Sequence, residues 1–287
     1  MKKLIKVLLI SILGLLLTAG IVLGVFIYKV TYGFPIYESD PPELPSEMAD
    51  FSILLFNKTN GFRHGEAIEA STQALQEMAR QGGWTIFTTE NGAVFNTAQL
   101  RKFDMVIWNN VTGRVLKEDQ KAAFKSYMEN GGGFLGIHGA GDNSHHWEWY
   151  EKTLLGANFS HHTMNPQFQE ATMHLQCDST ANFQCNGLGA VWQRSDEWYA
   201  FFENPASNGF EILYTVDENT FNPSGYIKFL AEDKDFGMGT SHPIVWYKEL
   251  PGGGRTFYSA LGHSAAHYKE NQHLDMLKKA VLWVGNR

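Results

Sequence analysis

The sequence predicts a doubly wound α/β domain with a mainly parallel sheet, preceded by one transmembrane helix. Up to residue 138, short apolar runs of strand length alternate with helical segments that carry one apolar face. Continuous apolar strands are typical of parallel sheets covered by helices on both sides. The third observation is the uncharged stretch 7–28, which is long enough to cross a hydrocarbon core of about 30 Å.

The N-terminal stretch is predicted to be an uncleaved signal anchor over residues 1–30. Lys2, Lys3 and Lys6 precede it and only Lys29 follows closely, so the positive-inside rule leaves the N-terminus in the cytoplasm. A cleaved signal peptide is the alternative, but its apolar region usually has about 7–15 residues, and 17–20 is a poor cleavage site. We therefore expect a membrane-anchored protein whose domain is extracytoplasmic, in the periplasm or at the cell surface.

Residues 31–50 are predicted to be a mostly unstructured tether, because four prolines and several acidic residues interrupt any apolar periodicity. The remainder, 51–287, is long enough for one α/β domain with a large core. A net charge of -7 offers no basic surface for nucleic acid. The oligomeric state is left open by the sequence.

Cys177 and Cys185 are the two cysteines of the chain. Outside the cytoplasm a disulfide between them is plausible. Two free buried thiols are the alternative, since the sequence does not give the geometry that a disulfide requires.

The first half of the domain has the clearer pattern. Apolar runs predict strands at 51–57, 84–89, 105–108 and 133–138. Apolar residues at helical spacing predict helices at 66–81 and 117–130, and Thr97 can cap a short helix that ends at residue 102. Glycines at 82–83 and 131 stop the two longer helices.

After residue 143 the pattern loosens. We predict a helix at 147–155, strands at 168–176, 211–216, 243–246 and 256–260, and a terminal helix at 267–284. Glycines 252–254 follow Pro251 and favour a hairpin turn over a phosphate-binding loop. No internal repeat or second domain boundary is visible.

The carboxyl ends of the parallel strands indicate where a ligand would bind. The loops after residues 57, 109 and 138 are expected to meet at this edge. Polar side chains of these loops would then face a common cleft: Arg63, His64, Asn110, Thr112, His138 and Asp142.

His138 ends the stretch GGGFLGIH and is followed by Gly139. A short apolar strand followed by a sharp glycine turn is the sequence pattern of a nucleophile elbow, in which the exposed residue is Ser or Cys. Here that position is a histidine, so the elbow is predicted without its nucleophile.

The chain has 11 histidines, a residue that suits metal ligation, proton transfer and hydrogen bonding to hydroxyls. Adjacent pairs such as 145–146 and 161–162 point to different faces, so a metal site would need distant segments. His145, His146, His174, His267 and His273 are expected to be surface or structural residues. Asp196 and Glu197 are either a solvated acidic pair or a source of a functional carboxylate.

Six short motifs together resemble the ThuA-like (trehalose utilisation) family. They are GFRH at 61–64, GFLGIH at 133–138, LGANF at 155–159, SDEWY at 195–199, HPIVW at 242–246 and LGHS at 261–264. They cover the domain from residue 51 to 285 in order. The resemblance implies a class I glutamine amidotransferase-like, flavodoxin-like fold and a role in carbohydrate metabolism.

The resemblance also implies which residues form the site, at recurrent family positions: Arg63, His64, His138, Glu197, His242 and His263. The chain departs from the family pattern at 160–166, where a single His followed by Pro is usual and His162 is our choice of equivalent residue. His138 stands where an amidotransferase has its cysteine, so Cys-dependent amidotransferase chemistry is not expected. A membrane anchor is not general in the family.

Two functions of different class follow. In the first, the protein is a hydrolase, lyase or isomerase acting on a small glycoside or keto-sugar. Its catalytic residues would be His64, His138 and Glu197, its substrate-binding residues Arg63, Asn110, His242 and His263, and its ligands for a divalent ion such as zinc His138, His162 and Glu197. In the second, it is a non-catalytic, membrane-tethered saccharide-binding or scaffolding module.

Overall fold

The computed structural model describes residues 2–177, 182–225 and 236–287. Its strands are β1 Ser52–Phe56, β2 Thr85–Thr89, β3 Met105–Asn109, β4 Gly133–Ile137, β5 Phe159–His162, β6 Phe168–Leu175, β7 Val191–Glu197, β8 Tyr199–Phe201, β9 Glu211–Val216, β10 His242–Glu249 and β11 Arg255–Ser259. Its α-helices are α1 Lys2–Tyr32, α2 Gly65–Gly82, α3 Thr97–Leu100, α4 Glu118–Glu129 and α5 Asn271–Val284.

The main sheet has a parallel half in the order β2-β1-β3-β4-β11. This is the strand order of flavodoxin-like sheets. Every residue of β1, β3 and β4 is buried, as expected for apolar strands with helices on both faces. The predicted mainly parallel α/β fold is therefore confirmed, and its parallel half presents one common carboxyl edge.

The second half of the sheet is antiparallel and continues in the order β11-β10-β9-β6-β7. Strand β7 alternates between exposed and buried residues, with Trp192, Arg194 and Asp196 facing inward. Although β7 lies far from β4 in strand order, its carboxyl end returns to the loop after β11, where the Gly262 amide donates to Asp196 Oδ2 at 3.0 Å. The end of β7 therefore contributes to the carboxyl edge of the parallel half.

Three strands were not predicted. Strand β7 ends in the acidic pair 196–197, and the short strands β5 and β8 pair with each other in a separate two-stranded sheet. The predicted helix at 147–155 contains a π-helical segment, Tyr150–Leu155, and the terminal helix begins at Asn271 after a 3₁₀ turn, Ala265–Lys269. Cys177 and Cys185 are joined by a disulfide.

Helix α1 has no buried residue. Within the described part of the chain it is the helix long and apolar enough to cross a membrane, by length and composition. It contacts the domain near its carboxyl end, where His146 Nε2 and the Thr31 carbonyl oxygen are 3.2 Å apart and the ring of Tyr32 stacks on His146.

Residues 33–50, called the strap below, differ from the expected unstructured tether. They contain no helix or strand but bond to the domain along their length: Asn60 Nδ2 donates to the Ile36 carbonyl at 3.1 Å, Asn91 Nδ2 to that of Asp40 at 3.0 Å, and Gln99 Nε2 to that of Pro42 at 2.7 Å. Glu38 pairs with Lys58, whose side chain is 6% exposed. Prolines prevent regular structure here without preventing side chains of the domain from binding the extended backbone.

Candidate functional site

His138 stands at a strained turn at the end of β4. Its φ of +45° lies in the left-handed region, which non-glycine residues seldom adopt, and it begins a 3₁₀ turn, His138–Gly141. The Tyr258 hydroxyl donates to the His138 carbonyl at 2.9 Å. A Cβ at Gly141 would overlap that hydroxyl, so this position has to be glycine. The predicted elbow is confirmed, with a histidine at its apex.

The carboxylate of Glu197 is the hub of the site. Its Oε2 lies 3.0 Å from His263 Nδ1 and 3.4 Å from His138 Nε2. Its Oε1 lies 3.1 Å from His162 Nδ1 and accepts a hydrogen bond from Gln167 Nε2 at 2.6 Å. The Glu197 side chain is only 2% exposed, so these contacts are shielded from solvent.

The tautomer of His138 follows from its partners. Its Nδ1 is 2.7 Å from the Ala260 carbonyl, which only accepts, so Nδ1 carries the proton in the neutral ring. Its Nε2 lone pair is then directed at the centre, 3.1 Å from His263 Nδ1. A histidine whose second nitrogen donates to a backbone carbonyl has the usual arrangement of a metal ligand.

His64 completes the group. Its ring centroid lies 4.9 Å from that of His138 and 4.8 Å from that of His263, and its Nδ1 is buried without a hydrogen-bond partner. Burial, followed by the neighbouring His138 and His263, lowers the pKa of His64 to about 2. The ring is therefore neutral and has a lone pair to offer.

The charges of the centre are set by the Glu197 contacts. Burial raises the pKa of Glu197, but its contacts with the rings of His138 and His263 outweigh this, and the net pKa lies below the ordinary value. Burial lowers the pKa of His263, but the hydrogen bond to Glu197 reverses this and the net pKa is raised. Glu197 is therefore an ionised carboxylate, and its Oε2 accepts a hydrogen bond from His263 Nδ1.

Asp196 binds the backbone of the two segments that carry Glu197 and His263. Its Oδ1 accepts from the Glu197 amide at 2.9 Å and its Oδ2 from the Gly262 amide at 3.0 Å, and Oδ2 lies 3.1 Å from Arg194 Nη2. The solvated alternative for the 196–197 pair is wrong, because both residues are buried. The functional role of Asp196 was missed, although alternation in β7 places Arg194 and Asp196 on one inward face.

Aromatic rings lie close to the histidines of the centre. Phe168 is 46% exposed with its ring 4.9 Å from that of His263, and Phe62 is 42% exposed with its ring 4.8 Å from that of His64. Tyr199 is buried, with its ring 4.5 Å from that of His138. The exposed phenylalanine rings therefore place apolar surface beside the polar groups of the centre.

The structure brings together the ligand atoms of His64, His138, Glu197 and His263, all within 4.8 Å of one another. His162, a predicted metal ligand, lies beside this group on the other carboxylate oxygen, Glu197 Oε1. Its side chain is 31% exposed.

Three further predicted residues have their own partners outside this group. Arg63 is 2.7 Å from Glu90 at the surface. Asn110 is buried at φ +54° with its Oδ1 3.4 Å from the Gly139 amide. His242 bonds Glu218 Oε1 at 2.6 Å and the Tyr199 carbonyl at 2.7 Å, so both ring nitrogens are already used.

A cavity of about 670 Å³ lies at the opposite edge of the sheet. Its lining includes Asp104, before β3, and Gly132, before β4, together with Arg101, Tyr127 and Arg287. It is therefore remote from the histidines, and its position at the amino ends of the parallel strands is not the usual one for a ligand.

Comparison with known proteins decides the family. The sequence model of ThuA, described as Trehalose utilisation, matches residues 52–284, which is most of the chain and the whole of the site.

The chain belongs to the ThuA family.

Membership implies a role in trehalose utilisation and agrees with the resemblance of the six motifs. A comparison with curated proteins gives no significant match.

Solved structures of ThuA-like proteins share the fold. A ThuA-like protein from Bacteroides uniformis ATCC 8492 is 23% identical with a TM-score of 0.66, over 84% of this chain and 95% of that one. One from Parabacteroides merdae ATCC 43184 is 18% identical with a TM-score of 0.54, over 82% and 87%. At these identities the likeness concerns the fold alone.

Proposed function

We propose that this ThuA protein is a membrane-anchored, extracytoplasmic enzyme that acts on a small glycoside or keto-sugar through a His/Glu metal centre. The observation that carries the proposal is the convergence of His64, His138 and His263 on the buried carboxylate of Glu197. Family membership supports a carbohydrate as the ligand. Helix α1 supports the anchor.

The donor set fits a divalent ion such as zinc. Two ligands of one tetrahedral zinc ion, each about 2.0–2.1 Å from it, lie about 3.3 Å apart. The atoms His138 Nε2, His263 Nδ1 and Glu197 Oε2 are separated by 3.0, 3.1 and 3.4 Å. The unpartnered Nδ1 of His64 supports the same view, because a buried nitrogen without a partner is costly unless a ligand satisfies it. A bound ion would supply Lewis acidity toward a substrate oxygen.

His162 is the best placed residue for proton transfer. Its Nδ1 lies 2.9 Å from the Thr163 carbonyl and 3.1 Å from Glu197 Oε1. Both partners accept, so Nδ1 carries the proton in the neutral ring and Nε2 holds the lone pair. The adjacent carboxylate stabilises the imidazolium that forms when Nε2 takes a proton.

Proton abstraction beside a carbonyl suits this arrangement. His162 Nε2 takes the proton, and the C–H electron pair moves toward the carbonyl carbon while the carbonyl π pair moves onto oxygen. In isomerisation the proton returns at another carbon or oxygen of the same group. In a lyase reaction the oxygen pair re-forms the carbonyl, a double bond forms between the deprotonated carbon and the carbon beyond it, and the C–O bond of that carbon breaks. The departing alkoxide takes the proton from His162 Nε2. In both cases the atoms balance without a further reactant.

A retaining glycosidase is less well supported. It needs two carboxyl groups about 5–5.5 Å apart that both face the sugar. Glu197 is the carboxylate at the centre, whereas the oxygens of Asp196 are held by backbone amides and Arg194. Asp196 therefore has no free oxygen to offer a glycosidic carbon.

The proposal predicts that ion binding and turnover can be separated by mutation. His138→Asn and Glu197→Gln remove donors, so elemental analysis of the purified full chain should show loss of a stoichiometric divalent ion. His162→Gln should keep the ion but lower kcat for a keto-glycoside by about 100-fold or more, the usual contribution of a general base. Product formation is followed by chromatography of native and oxidised disaccharides.

The matched control is His174→Asn, which removes an imidazole on β6 outside the centre and should change neither quantity. Turnover that survives both Glu197→Gln and His162→Gln would contradict the enzymatic proposal. An ion retained at full occupancy by both His138→Asn and Glu197→Gln would contradict the metal centre.

A second function is favoured by the exposed rings of Phe62 and Phe168. Aromatic rims can stack on the apolar face of a sugar without any chemistry, which describes a membrane-tethered saccharide-binding module. Isothermal titration separates the two functions. Saccharide affinity without product after long incubation, lost in Phe168→Ala, would favour binding alone, whereas product formation rejects it.

A further inference from the structure

We propose that the carboxyl edge of the sheet, which bears the His/Glu centre, lies against the lipid bilayer, and that α1 and the strap hold it there. The proposal rests on the membrane anchoring proposed above and adds an orientation to it. The partner is the lipid surface itself. Access to the centre is then along the membrane surface.

The first observation is where α1 meets the domain. Residues 7–28 would span about 33 Å at about 1.5 Å per residue, which leaves Lys29, Thr31 and Tyr32 at the membrane surface. Tyr32 stacks on His146, with ring centroids 5.5 Å apart. His146 directly follows the 3₁₀ turn Asn143–His145, which lies shortly after the elbow. The end of the candidate span is therefore attached to the edge that carries His138.

The second observation is that the residues directly after α1 contact the loop after β1, which leads to His64. Gly33 has a φ of +68°, and a Cβ there would lie 2.9 Å from the Asn60 carbonyl oxygen. The Phe34 amide donates to the same carbonyl at 2.9 Å. Because only glycine fits this close approach without strain, glycine at position 33 allows the end of α1 to pack directly on the loop after β1.

The loop after β1 is connected to the His/Glu centre through the loops after β3 and β4. The amides of Asn60 and Gly61 donate to the Thr112 carbonyl at 2.8 and 3.2 Å, and Thr112 Oγ1 donates to the Phe62 carbonyl at 2.6 Å. A Cβ at Gly139 would lie 3.1 Å from His64 Nδ1 and 3.2 Å from Thr112 Cγ2. His64 is therefore separated from the start of the strap by two packed loops.

The third observation is an exposed apolar surface that continues from α1. Phe34 is 39% exposed, Ile36 66% and Tyr37 37%. The Tyr28 ring on α1 lies 5.6 Å from that of Phe34, so the surface is continuous with the helix. Aromatic residues at the end of an apolar span are typical of the membrane interface, and this continuity with the span identifies lipid as the occupant.

The test uses the full chain in lipid nanodiscs. Ile36→Cys is labelled with an environment-sensitive fluorophore, and quenching by doxyl-labelled lipid is compared with that of Lys102→Cys. Lys102 is an exposed residue just before β3, at the opposite edge. Cys177 and Cys185 are paired, so labelling is selective. We expect at least threefold stronger quenching at position 36 and a blue-shifted emission there.

Equal quenching at positions 36 and 102 in a chain that stays in the membrane would overturn the orientation while leaving the anchor intact. Removal of residues 1–30 in the mature protein, seen by mass spectrometry, or release of the chain by alkaline carbonate would overturn the anchor and the orientation together. Neither result bears on the metal content or turnover, so failure of the catalytic proposal stays distinguishable.

Discussion

At the scale of single residues, Asp196 and Glu197 are adjacent carboxylates with different roles. Neighbouring residues of a strand point in opposite directions, so the two side chains have different partners. Glu197 faces three histidines and Asp196 faces backbone amides. A carboxylate that accepts from the Gly262 and Glu197 amides fixes the two segments that carry His263 and Glu197. Asp196 is therefore a positioning residue: it orients the backbone that carries Glu197 and His263 and is not itself a ligand.

Asp196→Asn tests this role. The amide NH₂ presents donors where backbone donors converge, and Arg194 loses its buried partner. We expect the free energy of unfolding to fall by about 3 kcal/mol or more, the usual result of breaking a buried pair. We expect affinity for the ion to fall by about 10–100-fold, as for other residues that orient ligands. Urea unfolding and metal titration measure the two effects.

Ser195→Ala is the matched control, because its side chain lies on the exposed face of the same strand. It should leave both quantities unchanged. An Asp196→Asn protein with normal ion affinity and lowered stability would reduce Asp196 to a purely structural residue.

At the scale of elements, the strap shows that a segment without secondary structure can be an integral part of the domain. Its anchor is Glu38, which pairs with the buried Lys58 and accepts from the Gly92 amide at 2.8 Å. Burial raises the pKa of Glu38, but the hydrogen bonds from Lys58 and Gly92 outweigh this and the net pKa is lowered. Glu38 is thus ionised at neutral pH, and its contact with Lys58 links the strap to the loop after β1.

Glu38→Gln is expected to release the strap. It leaves the Lys58 ammonium buried without its counter-charge, so we expect a loss of about 2–3 kcal/mol in the free energy of unfolding. Proteolytic cleavage within residues 33–50 should become faster, which limited proteolysis measures. Glu43→Gln, in an exposed part of the strap, is the control. Equal cleavage rates in the two variants would show that the pair does not hold the strap.

At the scale of the whole molecule, buried neutral histidines make stability depend on pH. Burial lowers the pKa of His145 and His267 to about 4 and that of His273 well below the ordinary value. In the unfolded chain these residues take up protons near pH 6.5, whereas the folded chain does not. The free energy of unfolding therefore falls as the pH drops from about 6.5 toward 4.

His267→Gln should flatten this dependence. Glutamine can still donate to the Ser195 carbonyl, which His267 Nε2 contacts at 2.8 Å, but it does not titrate. Each proton taken up only by the unfolded chain costs about 1.4 kcal/mol per pH unit, so the slope between pH 6.5 and 4 should fall by up to that amount. Urea unfolding at several pH values measures it, and an unchanged slope would contradict the assignment.

Much of the fold was readable from the sequence, because its signals are local. The apolar runs of β1, β3 and β4, the glycines that end the helices, and the glycine turn after Ile137 each depend on neighbouring residues. These determined the parallel half of the sheet and placed His64 and His138 at its carboxyl edge. The family motifs added Glu197 and His263 by resemblance rather than by geometry.

Only the tertiary structure decided that the end of β7 lies against the loop after β11. It also decided that the Gly262 amide donates to Asp196 rather than to solvent, and that the strap binds the domain. These features depend on pairing between residues far apart in the chain, which leaves no periodic trace in the sequence. It is this pairing that turns scattered histidines and one carboxylate into a single centre.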